Sequence, residues 1–424
     1  MSAEFNSVPF DPADARGALQ QIPEKCAVFA LYGEAVNAEP YIGRTPNLRG
    51  RLERLLLPSP RHPRRLQLAG LVRRIEWRLT GSDFESLLEQ FALLEQFYGL
   101  KALERMHLGA PSFVRFLGGN PYPRVTVTDR PSQREAGWSY GPFASRTAAE
   151  RFAEETLKLF LLRRCAEDLD PNPSHPGCVY SEMKMCLAPC YQGCTDQRYG
   201  EESTAVERFL ATRGDSRLVR IRGLRDEASA SLEFESAAAL HAQVQKIEAV
   251  RALAPELVRP LSQLRAVILQ ASAEPDKVAV FLFEQGRLRG PATFSTLGMR
   301  IQNEQSGSSS LFAQPMALEP VPEAGQPAED PGMPPPEAPA RSPRGVLEAR
   351  LEGVFAQLTS SPESPSGAVR QGHLALLKGW YYRPEVRRPG EIFFPDAEGA
   401  WPTKSILRGL GRVAAKTLSS TAMS

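Results

Sequence analysis

The sequence predicts a multidomain protein of the α+β class. Short runs of strand type near the N-terminus, such as 26–31, alternate with segments of helical periodicity, and the run 225–253 has helical character throughout. The segment 314–342 contains nine prolines and is too polar to pack, so it predicts a linker. A chain of 424 residues has room for two to four domains.

The composition favours a cytoplasmic protein. Residues 1–17 lack the basic and apolar regions of a signal peptide, so we expect no export. No run of eighteen apolar residues occurs, so we expect no membrane span. In a reducing cytoplasm, the six cysteines are not expected to form a disulfide framework. The net charge of +2 excludes no class of partner by itself.

The N-terminal part predicts a small domain over 25–108. Runs 26–31 and 39–43 predict two strands joined as a hairpin by a moderate loop. A helix is predicted over 47–57. Ser82 and Glu85 have the spacing of a capping box, and the residues that follow place apolar side chains at helical intervals.

Arginine is concentrated between residues 44 and 78, where only Glu53 and Glu76 oppose it. Guanidinium groups bind phosphate oxygens in pairs, so this excess indicates nucleic acid. A solvated basic face is the alternative. The ten arginines are Arg44, Arg49, Arg51, Arg54, Arg61, Arg64, Arg65, Arg73, Arg74 and Arg78.

Five of the six cysteines fall within 165–194. Structural zinc sites usually use pairs of CxxC, and none occurs here. Four thiolates at uneven spacing on a proline-rich loop suit an iron–sulfur cluster as well or better. Buried inert thiols are the alternative, Cys194 is a spare or alternative ligand, and His175 is a further candidate. The four candidate ligands are Cys165, Cys178, Cys186 and Cys190.

This segment resembles the cysteine-rich segment of UvrC, the nuclease subunit of the bacterial excinuclease. Residues 161–165 correspond to the family's LxPLRxC and residues 184–190 to its RCLAPC. In that family the four cysteines hold a [4Fe–4S] cluster. The resemblance therefore implies this cofactor, with zinc less favoured, on Cys165, Cys178, Cys186 and Cys190.

The run YIGRTPNLRGRL, at 41–52, resembles the second motif and following helix of a GIY-YIG nuclease domain, the N-terminal domain of UvrC. The resemblance implies phosphodiester cleavage with Mg²⁺ or Mn²⁺ by Tyr41, Arg44 and Arg51. A tyrosine hydroxyl can relay a proton, and an arginine can stabilise charge at phosphorus.

Two residues depart from the GIY-YIG pattern. Phe29 stands where the family has its first tyrosine, and Gln90 stands where it has a metal-binding glutamate. Glu89 is one residue away and points, by helical angle, opposite the apolar face of its helix. The departures favour a second hypothesis, a catalytically degenerate protein that binds DNA or UvrB.

The run LEFESAAALHAQV, at 232–244, resembles the UVR motif of UvrC and UvrB, which forms a helical hairpin and binds the partner's copy. The resemblance implies UvrB as a partner through 225–253, and DNA as the substrate. A helix pair packed on its own chain is the alternative. A third hypothesis for the whole protein is a zinc-stapled adaptor with general RNA affinity.

The C-terminal half matches the family only at its start. Residues 277–294 predict a hairpin with a turn at Gln285 and Gly286, like the first strands of UvrC's ribonuclease-H-like domain. We expect the rest of that nuclease centre and the helix-hairpin-helix to be missing.

Aromatic and basic residues mix after the linker, which favours nucleic-acid contact. A folded cap with Trp380 and Tyr381 in its core is the alternative. The cations that repeat every four residues are Lys404, Arg408, Arg412 and Lys416.

The sequence therefore predicts seven consecutive units. They are an N-terminal arm (1–24), a GIY-YIG nuclease-like domain (25–108), a bridge with the cysteine segment (109–200), a UVR-like helical hairpin (201–257), a β-hairpin remnant (258–313), a disordered linker (314–345) and a basic, aromatic C-terminal unit (346–424).

Overall fold

The computed structural model describes residues 5–35, 38–58, 67–131, 136–299, 343–359 and 366–421. The prolines predicted to form a linker lie outside these residues, as do Arg61, Arg64 and Arg65 of the arginine cluster. The described chain contains helices and three antiparallel sheets of four strands each, which confirms the α+β class. None of its helices has both the length and the apolar character that crossing a membrane requires.

The N-terminal sheet has the strand order β1-β4-β2-β3. The predicted hairpin is confirmed, because Phe29 on β2 pairs with Gly43 on β3 in antiparallel register. The elements are β1 (Asn6–Pro9), α1 (Ala15–Gln20), β2 (Ala27–Tyr32), β3 (Tyr41–Thr45), α2 (Leu48–Leu56), β4 (Arg74–Leu79), α3 (Asp83–Tyr98) and α4 (Ala102–Arg105).

The residues predicted as an N-terminal arm are part of this domain. Strand β1 pairs with β4 at the sheet edge, and Phe10, Leu19 and Ile22 are buried in the same core as Phe29. The sequence did not indicate this strand, because β1 is a short edge strand whose four residues show no buried alternation.

The middle sheet has the order β6-β5-β7-β8, and a long helical insertion separates its last two strands in sequence. The bridge, cysteine segment and helical hairpin therefore form one unit around a shared core. The elements are β5 (Ser112–Phe116), β6 (Val125–Thr128), β7 (Ser139–Phe143), α5 (Arg146–Leu157), α6 (Val179–Glu182), α7 (Asp196–Ala211), α8 (Asp215–Ala230), α9 (Phe234–Ala252) and β8 (Arg259–Pro260).

The C-terminal sheet has the order β11-β10-β9-β12. The predicted turn at Gln285 and Gly286 is confirmed. Strand β12 follows the linker in sequence but pairs with β9, so the hairpin remnant and the C-terminal unit, predicted as separate domains, share one sheet. The elements are β9 (Ala266–Ala271), β10 (Lys277–Glu284), β11 (Arg287–Ser295), α10 (Pro343–Thr359), α11 (Gly367–Tyr381), β12 (Glu391–Phe393) and α12 (Thr403–Thr421).

Helices cover both faces of the C-terminal sheet. Helices α10 and α12 pack on one face, where Leu351 and Leu410 join the core of Val280. Helices α3 and α11 pack on the other face, around Phe281 and Trp380. Trp380 is fully buried, which bears out the folded-cap alternative for that residue.

Helix α3 belongs to the N-terminal domain by sequence and to the C-terminal unit by packing. Ser82 caps it by accepting a hydrogen bond from the Glu85 N–H, as predicted, whereas the Glu85 carboxylate accepts from Gly81 and not from Ser82. The Phe84 ring lies 5.2 Å from the Phe281 ring and 5.3 Å from the Trp380 ring, between centroids. Burying such aromatic pairs contributes several kcal/mol to docking, at about 1.5–3 kcal/mol per large side chain.

The close approach of α3 and α11 requires a glycine. A Cβ at Gly372 would lie 2.0 Å from the Phe91 ring, whereas a Cβ at Gly379, seven residues later on α11, would meet nothing. We therefore expect Gly372→Ala to destabilise the protein by about 1–3 kcal/mol through overpacking. Gly379→Ala should be neutral or stabilise by about 0.5–1 kcal/mol.

Urea denaturation of both variants measures this difference. Equal stability of Gly372→Ala and Gly379→Ala would show that the two helices do not pack as closely as the structure has them.

Candidate nucleic-acid interface and cysteine site

Tyr41 and Arg51 are brought together at the edge of the N-terminal sheet. Asn47 caps α2 by accepting from the Gly50 N–H, and this sets the direction in which the helix leaves β3. Nη2 of Arg51 donates a hydrogen bond to the Tyr41 hydroxyl oxygen, 3.3 Å away. A phenol and a guanidinium thus share one surface.

Phe29 fills the position where the resemblance implies a tyrosine. Its ring is fully buried, lies 6.1 Å from the Tyr41 ring and packs under β3, where a Cβ at Gly43 would be 2.7 Å from it. A side chain at position 43 would collide with the Phe29 ring, so this position requires glycine. The position has an aromatic ring but no hydroxyl to move a proton.

Arg44 lies on the opposite face of β3 from Tyr41, because successive side chains of a strand alternate. There it forms an ion pair with Asp83, the first residue of α3. The second oxygen of Asp83 accepts a hydrogen bond from Arg383, 2.8 Å away, in the C-terminal unit. One carboxylate thus joins two guanidinium groups from distant parts of the chain.

Gln90 lies two turns after Asp83 on the same side of α3 and is half-buried. Glu89, its neighbour, forms an ion pair with Arg78 of β4 at 2.5 Å, and both side chains are 12–13% exposed. The side of α3 opposite its apolar face is therefore covered by the N-terminal sheet, which the sequence did not predict. Neither residue presents a free carboxylate beside Tyr41.

Glu85 is buried next to that ion pair. Burial raises the pKa of its carboxyl group to about 7, the nearby Glu89 charge adds to the rise, and the Gly81 N–H and Arg78 lower it. Burial also raises the pKa of Glu89, against the effect of Arg78. The two glutamates therefore compete for one cation in a space of low polarity.

Most of the described arginines of the cluster are engaged within the protein. Arg51 and Arg54 on α2 differ. Arg51 donates to the Tyr41 hydroxyl and Arg54 donates to the Gly50 carbonyl, so neither contact neutralises the arginine's positive charge. The cluster is therefore less basic than the sequence indicates. The ion pairs are Arg44–Asp83, Arg49–Glu24, Arg73–Glu34, Arg74–Glu76 and Arg78–Glu89.

The four predicted cysteine ligands lie within electrostatic range of one another. Burial and the charges of the other three cysteines raise the pKa of the Cys186 thiol to about 11, against the lowering effect of the hydrogen bond from the Ala188 N–H. Burial and the charges of Cys178 and Cys165 raise the pKa of the Cys190 thiol. The group is Cys165, Cys178, Cys186 and Cys190.

Cys194 stands apart from this group. The pKa of its thiol is raised by burial and by Asp196 and lowered by Arg198, with no contribution from the four cysteines. His175 is exposed, and its Nδ1 accepts a hydrogen bond from the Gly177 N–H, so it closes a local turn.

The loop that holds the thiols is organised by Arg163, which is 2% exposed. Its Nε donates to the Tyr122 carbonyl (2.9 Å) and its Nη1 donates to the Glu167 carbonyl (2.6 Å) and to the Cys165 sulfur (3.5 Å). The Ala188 N–H donates to the Cys186 sulfur over 3.2 Å. Donors aimed at sulfur stabilise thiolates. Among the described residues, no group of three or more His, Cys, Asp or Glu side chains converges closely enough to hold a single metal ion.

The UVR-like run begins at the tip of the α8–α9 hairpin. Leu232 and Phe234 are 70% and 68% exposed there, whereas Val244 and Ile247, farther along α9, are buried. The apolar side chains of this hairpin are therefore divided between an exposed tip and a buried base.

The basic face predicted on α12 is confirmed in part. Lys404, Arg408 and Lys416 are exposed on it. Arg412 instead donates to both carboxylate oxygens of Glu391, at 2.7 and 2.5 Å.

Comparison with known families supports the relation suggested by the cysteine segment. Residues 113–209 match the family model described as the UvrC/Cho excinuclease middle domain. This range covers β5 to α7 and includes all four candidate ligands.

Proteins named UvrABC system protein C match a longer stretch of this chain than the family model does. The chain is 26% identical over 302 residues to the UvrABC system protein C of Ruminiclostridium cellulolyticum, covering 70% of this chain and 48% of that protein. It is 27% identical over 242 residues to that of Klebsiella pneumoniae, covering 57% and 39%. The chain thus spans about half the length of the relatives it matches, or less. No solved structure matches it.

Several residues of the site were not found from sequence. Asp83 pairs with Arg44 and with Arg383, which lie far from it in the chain, and no local spacing signals such pairs. Arg163 was part of a quoted motif, and only the structure shows that it is buried and holds the loop.

We expect the buried Glu85 to make stability depend on pH. Its pKa is raised in the folded protein, so between about pH 4.5 and 7 the unfolded chain loses this proton first, and the free energy of unfolding falls as pH rises. Over this pH range the free energy of unfolding falls by about 3 kcal/mol, because a difference of one in pKa between the folded and unfolded protein corresponds to about 1.36 kcal/mol.

Glu85→Gln should remove most of this loss and be more stable than the parent at pH 8. Urea denaturation from pH 5 to 8 measures it, with the exposed Glu53→Gln as the control. A parent-like pH profile in Glu85→Gln would contradict the assignment.

Proposed function

We propose that this protein is a UvrC-like DNA-binding protein of nucleotide excision repair whose N-terminal domain binds DNA without hydrolysing it. The observation that supports the second part is the state of the carboxylates around Gln90. The position itself has a neutral amide, Glu89 is paired with Arg78, and Asp83 is shared by two arginines.

Binding of DNA by this domain rests on Tyr41, Arg51 and Arg54. The two guanidinium groups lie one turn apart on α2, and the phenol accepts a hydrogen bond from one of them. Such a surface can neutralise phosphates on one strand. The relation to UvrABC system protein C supports DNA as the partner and excision repair as the process.

Phosphodiester cleavage is the second candidate, and the contact between Tyr41 and Arg51 favours it. In that case the Tyr41 hydroxyl would exchange a proton with the attacking water, and Arg51 would stabilise charge at phosphorus. A divalent cation would need an oxygen-rich site. The residues present do not form such a site, because Gln90 is neutral and the Glu89 carboxylate forms an ion pair with Arg78.

A [4Fe–4S] cluster on the four grouped cysteines is the cofactor we propose. A single zinc ion needs its sulfurs at about 2.3 Å, and the described residues do not converge that closely. Four thiols that interact electrostatically are the donor set of a [4Fe–4S] cluster, and N–H donors to sulfur tune such clusters. The cluster, when bound, supplies iron–sulfur bonds that would fix the loop between Cys165 and Cys190.

We further propose UvrB as a partner through the hairpin at 225–253. The exposed apolar tip formed by Leu232 and Phe234 has no covering element in the described chain, and apolar tips of this kind mark protein contacts. A helix pair packed wholly on its own chain would bury these two side chains.

A nicking assay on damaged and undamaged duplex, with Mg²⁺ or Mn²⁺ and with UvrA and UvrB, tests the main proposal. We expect binding of DNA with no metal-dependent nicking. Arg51→Gln should weaken binding and lower the salt dependence, the slope of log K against log salt, by about 0.9, as one lost phosphate contact does.

Two further variants sharpen this assay. Gln90→Glu restores the missing carboxylate, and a gain of nicking would identify the position that prevents cleavage. Nicking by the parent protein that disappears in Arg51→Gln would instead establish the second candidate.

We expect the protein purified without oxygen to contain about four iron and four sulfide per chain. Cys190→Ser should lose most of the iron and the sulfide, because the Cys190 thiol is one of the four that interact electrostatically. Cys194→Ser, the matched control, should keep them. Metal analysis and visible absorbance measure this. Zinc in place of iron would support the adaptor hypothesis.

A further inference from the structure

The C-terminal unit contacts the nuclease-like domain through an ion bridge at the start of helix α3. Asp83 forms an ion pair with Arg44 through one oxygen and accepts from Arg383 through the other, at 2.8 Å. The three side chains are 30–38% exposed, so each remains within reach of a ligand in solvent.

The backbone that presents Arg383 is fixed. Trp380, three residues earlier, is fully buried against Phe84, the residue next to Asp83. The Tyr382 hydroxyl donates to the Pro142 carbonyl over 2.9 Å. The bridge therefore rests on a packed aromatic pair and a tethered helix end, unlike an isolated surface ion pair.

The charges decide what the bridge does. Arg44 and Asp83 alone would form a neutral pair, and such a pair attracts phosphate weakly. With Arg383 present, one carboxylate is shared by two guanidinium groups, and one positive charge remains at the edge of β3. Arg383 can therefore set the charge of the site without binding DNA itself.

We propose that Arg383 is a positioning residue that keeps Arg44 available to DNA by competing for Asp83, an inference that rests on the proposed DNA binding at this site. The C-terminal unit thus adds a further phosphate contact to the N-terminal domain of the same chain, on the face of β3 opposite Tyr41.

This arrangement predicts a specific pattern of non-additivity. Arg44→Gln and Arg383→Gln should each lower the salt slope of DNA binding by about 0.9, and the double variant should lower it by no more than one of them. In an Asp83→Asn background, Arg44 has no competing carboxylate, so Arg383→Gln should then change the slope by less than about 0.3.

The test measures DNA affinity of the full chain at several salt concentrations, on one duplex. Arg383→Lys, which keeps the charge, should restore most of the binding and guards against loss through misfolding. Arg387→Gln is the matched control, because it removes an exposed charge four residues away. It should have a smaller effect than Arg383→Gln.

Equal effects of Arg383→Gln with and without Asp83 would overturn the proposal, because Arg383 would then bind DNA directly. No effect of Arg383→Gln would overturn it as well, with DNA binding by the domain left standing. Failure of the parent protein to bind DNA would remove the proposed function and this inference together.

Discussion

The burial of helix α3 on two sides is the interaction on which the arrangement of the protein depends. Its apolar side enters the core of the C-terminal sheet, where Phe84 meets Phe281 and Trp380. Its other side lies against the N-terminal sheet, where Glu89 pairs with Arg78. Because the same helix packs in the core of the C-terminal sheet and pairs with the N-terminal sheet, the N-terminal domain cannot shift relative to the C-terminal unit without breaking one of these contacts. The ion bridge at Asp83 is a consequence of this packing.

The same burial explains why the carboxylates of α3 are not available at the surface of the N-terminal domain. A glutamate beside a catalytic cation must keep its carboxylate accessible, whereas Glu85 and Glu89 occupy a space whose low polarity raises their pKa values. Tyr41 and Arg51 lie outside this space, on the α2 side of the sheet, and keep their contact. The sheet thus has one side where Tyr41 and Arg51 remain in contact and another side that is packed against α3.

Local features were predictable from sequence. The strand pair around Phe29, the cap at Ser82 and the turn at Gly286 all depend on residues within a few positions of one another. Partners distant in sequence were not predictable, because the pairing of β12 with β9 spans more than a hundred residues and leaves no local pattern. The angle of Glu89 was predicted correctly, but the sheet that covers it was not. For the cysteines, spacing identified the candidates, and only the folded loop separates Cys194 from the rest.

The shared C-terminal sheet has a consequence for synthesis of the chain. Strands β9 to β11 are made before residues 343–421, which supply β12 and the three helices that cover both faces. Until these residues are made, the face that α10 and α12 cover is bare, the opposite face has α3 but not α11, and β9 has an open edge. Nascent chains are therefore exposed to aggregation for the time needed to add over a hundred residues. A premature stop codon between β11 and α10 would leave this state permanent, so the C-terminal unit is required to cover the apolar surface of a sheet whose other strands precede it.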